Sequence, residues 1–407
     1  MAQLKNDPVT PEAQKAVLDL LGDPPISEDG PEDYRLGDDV ARAPLADSDV
    51  EGLVDRTLKL VEEAQLVFPD ARDLVEQAVV ALLNGNLVLH GPPGTGKTCL
   101  AGLLAEAFEC EVAVETGTPD WSTYDVIGGL RPGRNEQGAE VLEPWLGHIP
   151  RAALRCGGVV SANLDSGQAP QAHWLVIDEL SRADIDKAVG PAYTALGADK
   201  VENRKIGLWF EDDPGRREVT LPERFRILGT MNDVDTAFVT QLSQGLQRRF
   251  EFVHVDVPAR GQVDEELRQV TRQAANRYDR LYGEVAEEDL AKEADDLLGE
   301  ERVKGALALL GELVAFLRWE ADGPHWPLGS AQLAEVMRST VIRARSNPAA
   351  SDLKDALDRA VATSIVKQTT ALTVEQLEKI DARLGILGLE RSQKAIAVVR
   401  EPHLTHP

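Results

Sequence analysis

The chain has 407 residues, of which 43% are hydrophobic, and a formal net charge of −26 at pH 7. This length and composition allow two or three domains with buried cores, whereas no apolar run approaches the roughly 20 residues that a membrane-spanning helix needs. The acidic charge argues against a protein that binds nucleic acid directly, because affinity for the phosphate backbone comes from clustered Lys and Arg.

The N-terminal residues lack the apolar core of a secretory signal. The three cysteines, Cys99, Cys110 and Cys156, do not make a disulfide framework. We therefore expect a protein of the reducing cytoplasm, with no membrane partner.

The first 48 residues are rich in proline and acidic side chains and predict a poorly ordered leader. The segment 11–21 has the pattern of a short amphipathic helix, although a solvated tail is the simpler interpretation. After the leader, two apolar stripes predict two helices within 49–83, with Pro69 between them.

A glycine-rich stretch, GPPGTGKT, follows the apolar run 86–90 and precedes a segment of helical periodicity over 99–108. Strand, glycine-rich turn and helix together are typical of a phosphate-binding loop. Backbone N–H groups converge there on phosphate oxygens, and the helix adds its positive end. The residues predicted to bind nucleotide are Gly91, Pro92, Pro93, Gly94, Thr95, Gly96, Lys97, Thr98 and Cys99. Lys97 can reach the β- and γ-phosphates, and the Thr98 hydroxyl can bind Mg²⁺.

The second group of candidate residues is Asp178 and Glu179, which directly follow an apolar strand predicted over 173–177. In open α/β sheets, ligands bind at the carboxyl ends of the strands. Asp178 is suited to hold Mg²⁺ through its water shell, and Glu179 to orient and polarise an attacking water. The alternative is a strand that ends in a solvated turn, but the upstream phosphate-binding loop argues against it.

The other elements predicted before residue 225 are a strand over 109–117, a Gly- and Pro-containing loop after 121–129, a short helix over 151–156, a turn-rich insertion over 157–172, a helix over 185–196 and a hairpin over 206–221.

A further strand over 225–232 ends in Asn232, which could hydrogen-bond the γ-phosphate or the attacking water. A helix predicted over 238–246 is followed by Arg248 and Arg249. This Arg pair is either a solvated helix end or a charge supplied to a neighbouring subunit's γ-phosphate. The remaining elements are a fifth strand over 250–257 and helices over 263–282, 287–298, 301–320, 330–345, 350–368, 373–384 and 391–399.

The order of these parts resembles that of an AAA+ ATPase: a phosphate-binding loop, Ile-Asp-Glu, a strand ending in Asn, an Arg pair before Phe, and a helical tail. Within that family the chain is similar to the dynein-related branch, which holds the MoxR ATPases and the methylation-dependent restriction GTPases. The segments that support this narrower resemblance are YDVIGG at 124–129, IDELSRA at 177–183, LGTMN at 228–232 and LQRRF at 246–250.

The resemblance implies an α/β core with a five-stranded parallel sheet over 49–258, and a helical lid with a C-terminal helical extension over 259–407. It implies ATP and Mg²⁺ as ligands, with Glu179 and Asn232 in catalysis. Arg248 or Arg249 would be the arginine finger, meaning the cation that one subunit supplies to the next. It further implies a homo-oligomeric ring, usually of six. MoxR-type relatives often work with a protein that carries a von Willebrand A domain.

The chain departs from this pattern at three places. Ser181 stands where the branch usually has Asn, and the expected lid Arg is missing from 328–333, with none before Arg338. The sensor Asn is followed by Asp-Val-Asp, where the restriction GTPases tend to have Thr-Ala-Asp, which favours ATP over GTP.

Three functions are consistent with these residues. The leading hypothesis is a ring-forming, ATP-hydrolysing motor that remodels a partner protein, as a MoxR-like chaperone does. The second is the NTPase motor of a restriction-like complex that acts on DNA through a nuclease partner. The third is an assembly scaffold gated by nucleotide, with little turnover.

Overall fold

The computed structural model describes residues 33–134, 138–232, 243–283 and 285–405. Its strands, in chain order, are β1 (Asn86–Gly91), β2 (Cys110–Thr116), β3 (Gly128–Arg134), β4 (Glu140–Leu146), β5 (Ala172–Asp178), β6 (Lys205–Gly207), β7 (Glu218–Thr220), β8 (Ile227–Asn232) and β9 (Phe250–His254).

The predicted sheet of five parallel strands is confirmed, with the order β2-β5-β8-β1-β9. Its register places Gly91 opposite Asn232 and Thr116 opposite Asp178. Because parallel strands end at the same edge, the phosphate-binding loop, Asp178 and Asn232 share the carboxyl edge of the sheet. Two antiparallel hairpins, β3–β4 and β6–β7, lie outside this sheet.

The helices, in chain order, are α1 (Asp38–Ala41), α2 (Val50–Glu63), α3 (Ala71–Asn84), α4 (Lys97–Ala107), α5 (Thr123–Val126), α6 (His148–Ser166), α7 (Ile185–Val189), α8 (Tyr193–Leu196), α9 (Gln244–Gln247), α10 (Val263–Tyr282), α11 (Leu290–Gly299), α12 (Glu301–Arg318), α13 (Ser330–Ser346), α14 (Lys354–Ser364), α15 (Val374–Leu387) and α16 (Glu390–Thr405). None of the helices in the described residues combines the length and apolar character needed to cross a bilayer.

The apolar side chains form two cores. The first runs from Tyr34 to Val255 and surrounds the sheet, and the second runs from Val263 to Ile396 and is built from helices alone. The predicted C-terminal helical region is therefore present. We call α10 to α13, residues 263–346, the lid.

Part of the predicted leader, residues 33–48, packs on the first core. The Tyr34 backbone donates a hydrogen bond to Gly215 O over 3.0 Å, and Arg224 Nε donates to Pro44 O over 2.6 Å. Residues 1–32, with the candidate helix over 11–21, lie outside the described residues.

The prediction of a short helix over 151–156 with a turn-rich insertion after it is wrong, because α6 continues through Gly157 to Ser166. A Cβ atom on Gly157 would lie 2.6 Å from Leu36 Cδ2. This glycine therefore allows Leu36 to approach the helix and does not end it.

Other differences have local causes. The loop predicted after 121–129 contains the hairpin β3–β4, although Pro132 and Gly133 lie within it. The helix predicted over 185–196 is broken by a 3₁₀ turn over Gly190–Ala192, where Pro191 lacks the N–H that an α-helix needs. Of the helix predicted over 238–246, residues 238–242 lie outside the described residues.

Candidate nucleotide-binding site

The phosphate-binding loop connects β1 to α4 through residues with unusual backbone angles. Gly94 has φ of +79° and Gly96 has φ of +90°, backbone angles that residues with a Cβ rarely adopt. The loop therefore turns sharply enough for α4 to begin at Lys97 with its amino end at the carboxyl edge of the sheet. Such a helix start offers unpaired N–H groups and a partial positive charge to an anion.

Lys97 is buried along this loop. Its ammonium donates hydrogen bonds to Gly91 O over 3.0 Å and to Pro92 O over 2.7 Å. The Thr95 hydroxyl also donates to Pro92 O, over 3.1 Å. A positive charge is thus fixed at the base of the loop. Because this ammonium is already removed from bulk water, it can balance the charge of a phosphate without a further loss of solvation.

Asp178 accepts two hydroxyl hydrogen bonds on one oxygen. Thr98 and Thr230 each donate to its Oδ1 over 2.6 Å. The hydroxyl of Thr98 and the carboxylate of Asp178 are hard oxygen ligands of the kind that Mg²⁺ takes. Thr230 was not predicted from the sequence; the signal for it is its position two residues before Asn232, on the same face of β8.

Glu179 follows β5 with φ of +55°, an uncommon conformation for a residue other than glycine. Its backbone N–H donates to the Thr230 hydroxyl over 3.1 Å. Its Oε2 accepts from Asn232 Nδ2 over 3.0 Å and from Arg182 Nε over 3.1 Å. The carboxylate is therefore held beside the loop by an amide from the neighbouring strand and by an exposed guanidinium.

These groups line a cavity of about 320 Å³ between the loop and the lid. Its lining residues are Gln65, Leu66, Val67, Gly94, Thr95, Gly96, Lys97, Thr98, Cys99, Asp178, Glu179, Thr230, Asn232, Glu266, Gln269, Val270, Gln273, Ser330, Ala331 and Ala334. Apolar and amide side chains from 65–67 and from α10 form one part of the lining, and the charged groups form another. This division suits a ligand with a flat base and a polyanionic tail.

The start of α13 lies directly against the phosphate-binding loop. Ala331 N donates to Gly94 O over 3.0 Å, and a Cβ on Gly329 would lie 2.2 Å from Pro93 O. Gln332 Oε1 is buried close to Gly94 and accepts no hydrogen bond from the described residues. No arginine lines this cavity among the described residues, and Arg338 is not among the lining residues.

A buried ion pair holds α13 in this place. Arg318 donates to both oxygens of Glu266, over 2.6 and 2.9 Å, and their side chains are 0% and 1% exposed. Ser330 Oγ donates to Glu266 Oε1 over 2.5 Å. Because Glu266 also lines the cavity, this group links the interior of the lid to the nucleotide pocket.

Arg248 and Arg249 lie at the opposite edge of the sheet. Asn86, the first residue of β1, donates through Nδ2 to Arg249 O over 3.1 Å, whereas the loop begins at the other end of β1. A strand rises about 3.3 Å per residue, so β1 separates the two edges by about 16 Å. The two arginines are therefore not part of their own chain's pocket.

The two arginines also differ from each other. Arg249 Nε donates to Tyr193 O over 2.7 Å, and its guanidinium lies 5.2 Å from the centre of the Tyr193 ring. The side chain of Arg248 is exposed and makes no hydrogen bond or ion pair within the described parts of the chain.

Nine of the predicted site residues line the cavity: Gly94, Thr95, Gly96, Lys97, Thr98, Cys99, Asp178, Glu179 and Asn232. Gly91, Pro92 and Pro93 form the entry of the loop. Lys97 donates to the carbonyl groups of Gly91 and Pro92, and Thr95 donates to that of Pro92.

One family model matches the part of the chain that contains the phosphate-binding loop, Asp178, Glu179 and Asn232. Residues 86–250 match the family model of the AAA domain, dynein-related subfamily. No curated protein matches the sequence.

Solved structures with a similar chain include a mutant of RuvB from Thermotoga maritima, with 15% identity over 86% of this chain and 89% of that chain and a TM-score of 0.39. Two structures of NtrX from Brucella abortus are also similar, each with a TM-score of 0.45. One has 12% identity over 82% of this chain and 69% of that chain. The other, in complex with ADP, has 14% identity over 86% and 72%.

Proposed function

We propose that this chain, whose residues 86–250 belong to the dynein-related subfamily of AAA domains, is an ATP-hydrolysing motor that assembles into a ring. Its sheet and C-terminal helices have the α/β fold of AAA+ P-loop NTPases. One observation carries the proposal: Glu179 and Arg248 lie at opposite edges of the sheet of one chain. An arginine at the second edge can act only on the pocket of another copy. A closed ring, most simply a hexamer, gives every pocket such a neighbour.

We propose ATP as the substrate and Mg²⁺ as its metal ion. The loop backbone, the amino end of α4 and Lys97 would hold the phosphates. Thr98 and Asp178, whose oxygens lie 2.6 Å apart, are the residues that would hold Mg²⁺. When bound, Mg²⁺ neutralises charge on the transferring phosphoryl group.

Three side chains would then carry out the hydrolysis. Glu179 orients the attacking water and polarises it as a positioned carboxylate does. Asn232, which donates to Glu179 over 3.0 Å, fixes that carboxylate and lies close enough to the pocket to reach the water or the γ-phosphate. Arg248 of a neighbouring copy supplies positive charge where negative charge develops on the phosphoryl oxygens.

Contacts between the loop and the lid suggest how hydrolysis would produce movement. Gly94 and Ala331 are hydrogen-bonded across the cavity, so a change at the phosphates alters the position of α13 directly. The lid would then move relative to the sheet once per cycle. We propose that this movement remodels a partner protein, as in MoxR-type relatives, and that a protein with a von Willebrand A domain is one such partner. Because all three cysteines are unpaired, we place this activity in the reducing cytoplasm.

Phosphate release from ATP and from GTP, measured side by side with and without DNA, tests this proposal. We expect hydrolysis of ATP in preference to GTP, with no stimulation by DNA. Stimulation by DNA or a preference for GTP would support the restriction-type motor instead. Assembly on ATP without phosphate release would support the scaffold.

A further inference from the structure

The short helix α9, which precedes Arg248, is attached to the rest of the chain at both ends. Ser243 caps the amino end of the helix and accepts a hydrogen bond on Oγ from Leu246 N over 3.1 Å. Arg248 follows the last helical residue, and Arg249 comes next. Arg248 lies in sequence between these two ends, and its side chain is exposed.

Asp186 makes the attachment at the amino end. Its Oδ2 accepts from Ser243 N over 2.9 Å, and its Oδ1 accepts from the hydroxyls of Ser243 and Tyr193. Burial opposes the charge, but the hydrogen bonds from Ser243 and Tyr193 lower the pKa of Asp186. The carboxylate is therefore ionised at neutral pH, and charge-assisted hydrogen bonds of this kind are the stronger ones.

Tyr193 takes part in both attachments. Its hydroxyl donates to Asp186, while its carbonyl accepts from Arg249 and its ring lies under the guanidinium of that residue. Arg249 also donates to Gly245 O within α9 itself. Together Asp186, Tyr193, Ser243 and Arg249 form a clamp around α9, which we call the α9 clamp.

We infer that Asp186 and Tyr193 are positioning residues that hold Arg248 of one copy in place to act on the nucleotide of the next. This inference rests on the proposed function, and it assigns Arg248 as the arginine finger and Arg249 as its anchor. The clamp is also close in sequence to the chain's own pocket, because α7, which contains Asp186, begins six residues after Glu179. A misplaced finger would lower turnover and leave ATP binding intact, because the chain's own pocket contains none of the clamp residues.

The simplest competing explanation is that the clamp only stabilises the fold. Mixing two variants in one assembly distinguishes a positioning role from a structural one. A subunit with a defective pocket and a subunit with a defective finger are each restored by a different kind of neighbouring subunit. E179Q lacks the carboxylate of the pocket but keeps its finger, and R248A lacks the finger but keeps its pocket. Mixed assemblies of these two should recover hydrolysis that neither variant has alone.

The decisive experiment measures phosphate release by D186N, alone and mixed with each of these variants. We expect D186N alone to lose about 10²-fold in kcat, as misplacement of a catalytic group by about 1 Å does, with unchanged binding of a fluorescent ATP analogue. We expect activity to return when D186N is mixed with E179Q and not when it is mixed with R248A. Y193F, which keeps the ring and removes only the hydroxyl, should give the same pattern with a smaller loss, and decides the matter if D186N fails to fold.

Two outcomes would overturn the inference. Recovery of D186N by R248A and not by E179Q would place its defect in the pocket. Loss of ATP binding together with a lowered melting temperature in both D186N and Y193F would assign the clamp a structural role. If E179Q and R248A themselves fail to complement each other, the proposed shared site is wrong, and that failure is distinct from a failure of the clamp alone.

Discussion

Asn232 donates a hydrogen bond to Oε2 of Glu179 over 3.0 Å, which joins the ends of two neighbouring strands. The same carboxylate oxygen accepts from Arg182 over 3.1 Å. Because Arg182 is 60% exposed, that ion pair is weak in water and can open when a ligand arrives. The hydrogen bond from the Asn232 amide, and not the ion pair with Arg182, is therefore the contact that fixes Glu179.

Replacement of the carboxylate should separate binding from hydrolysis. We expect Glu179→Gln to reduce phosphate release by about 10²-fold or more, since an amide does not accept a proton from water. ATP binding should be retained, because the phosphate-binding loop is unchanged. Arg182→Ala is the matched control, and we expect it to keep measurable turnover. Full turnover by the Gln variant would exclude Glu179 from catalysis.

Nucleotide should stabilise the folded chain. A ligand present at 100 times its dissociation constant stabilises the native state by about 2.7 kcal/mol, so Mg²⁺ and ATP should raise the melting temperature in a concentration-dependent way. Lys97→Ala should abolish the shift, because it removes the charge held against Gly91 O and Pro92 O. An equal shift in wild type and variant would place ATP elsewhere.

The buried pair in the lid should be costly to break. Removing one member leaves an unpaired charge, so Glu266→Ala should lower the free energy of unfolding by about 3–5 kcal/mol in urea denaturation. The double variant Glu266→Leu with Arg318→Met, which removes both charges, should lose much less. If the single variant were no worse than the double one, the pair would not be buried in solution.

Because the lid packs closely on the phosphate-binding loop, a single methyl group added at Gly329 should weaken ATP binding. A Cβ on Gly329 would lie 2.2 Å from Pro93 O, so Gly329→Ala should push α13 away and weaken ATP binding. Gly305 in α12 is the matched control, because its Cβ would meet no atom within 4 Å. Titration with a fluorescent ATP analogue distinguishes the two variants, and equal affinities would contradict the contact.

Cys99 offers a chemical probe of the cavity. Solvent reaches its side chain, yet surrounding protein and nearby Asp178 raise the pKa of its thiol. Burial raises the pKa of Cys156 to about 12, and that of Cys110 well above its usual range. Alkylation should therefore start at Cys99 and accelerate as the pH rises towards the raised pKa.

Bound nucleotide should protect that thiol. With ATP in hundredfold excess over its dissociation constant, we expect alkylation of Cys99 to slow by at least about tenfold. Cys99→Ser is the control, and it should remove the protected fraction. Alkylation at the same rate with and without ATP would place the thiol outside the nucleotide site.

Local patterns in the sequence predicted the parts of this chain that depend on neighbouring residues. The glycine-rich loop, Asp178, Glu179 and Asn232 each end an apolar strand, so the parallel sheet brings them to one edge without further information. The pattern of α10 likewise gave its observed bounds, 263–282.

Contacts between distant residues were not predictable in this way. From the sequence, Gly157 indicates the end of a helix. In the structure, Leu36, which is far away in sequence, occupies the space beside this glycine. Arg248 and Arg249 are chemically equivalent in the sequence, and only the contacts of Arg249 with Tyr193 distinguish them. The Glu266–Arg318 pair connects two helices that no sequence motif relates.

The dependence of ATP turnover on protein concentration tests the central claim most directly. Sites completed by a neighbour require that phosphate release per subunit rise with concentration and level off once assembly, followed by light scattering, is complete. A specific activity that stays constant down to concentrations at which only monomers are present would contradict the shared site.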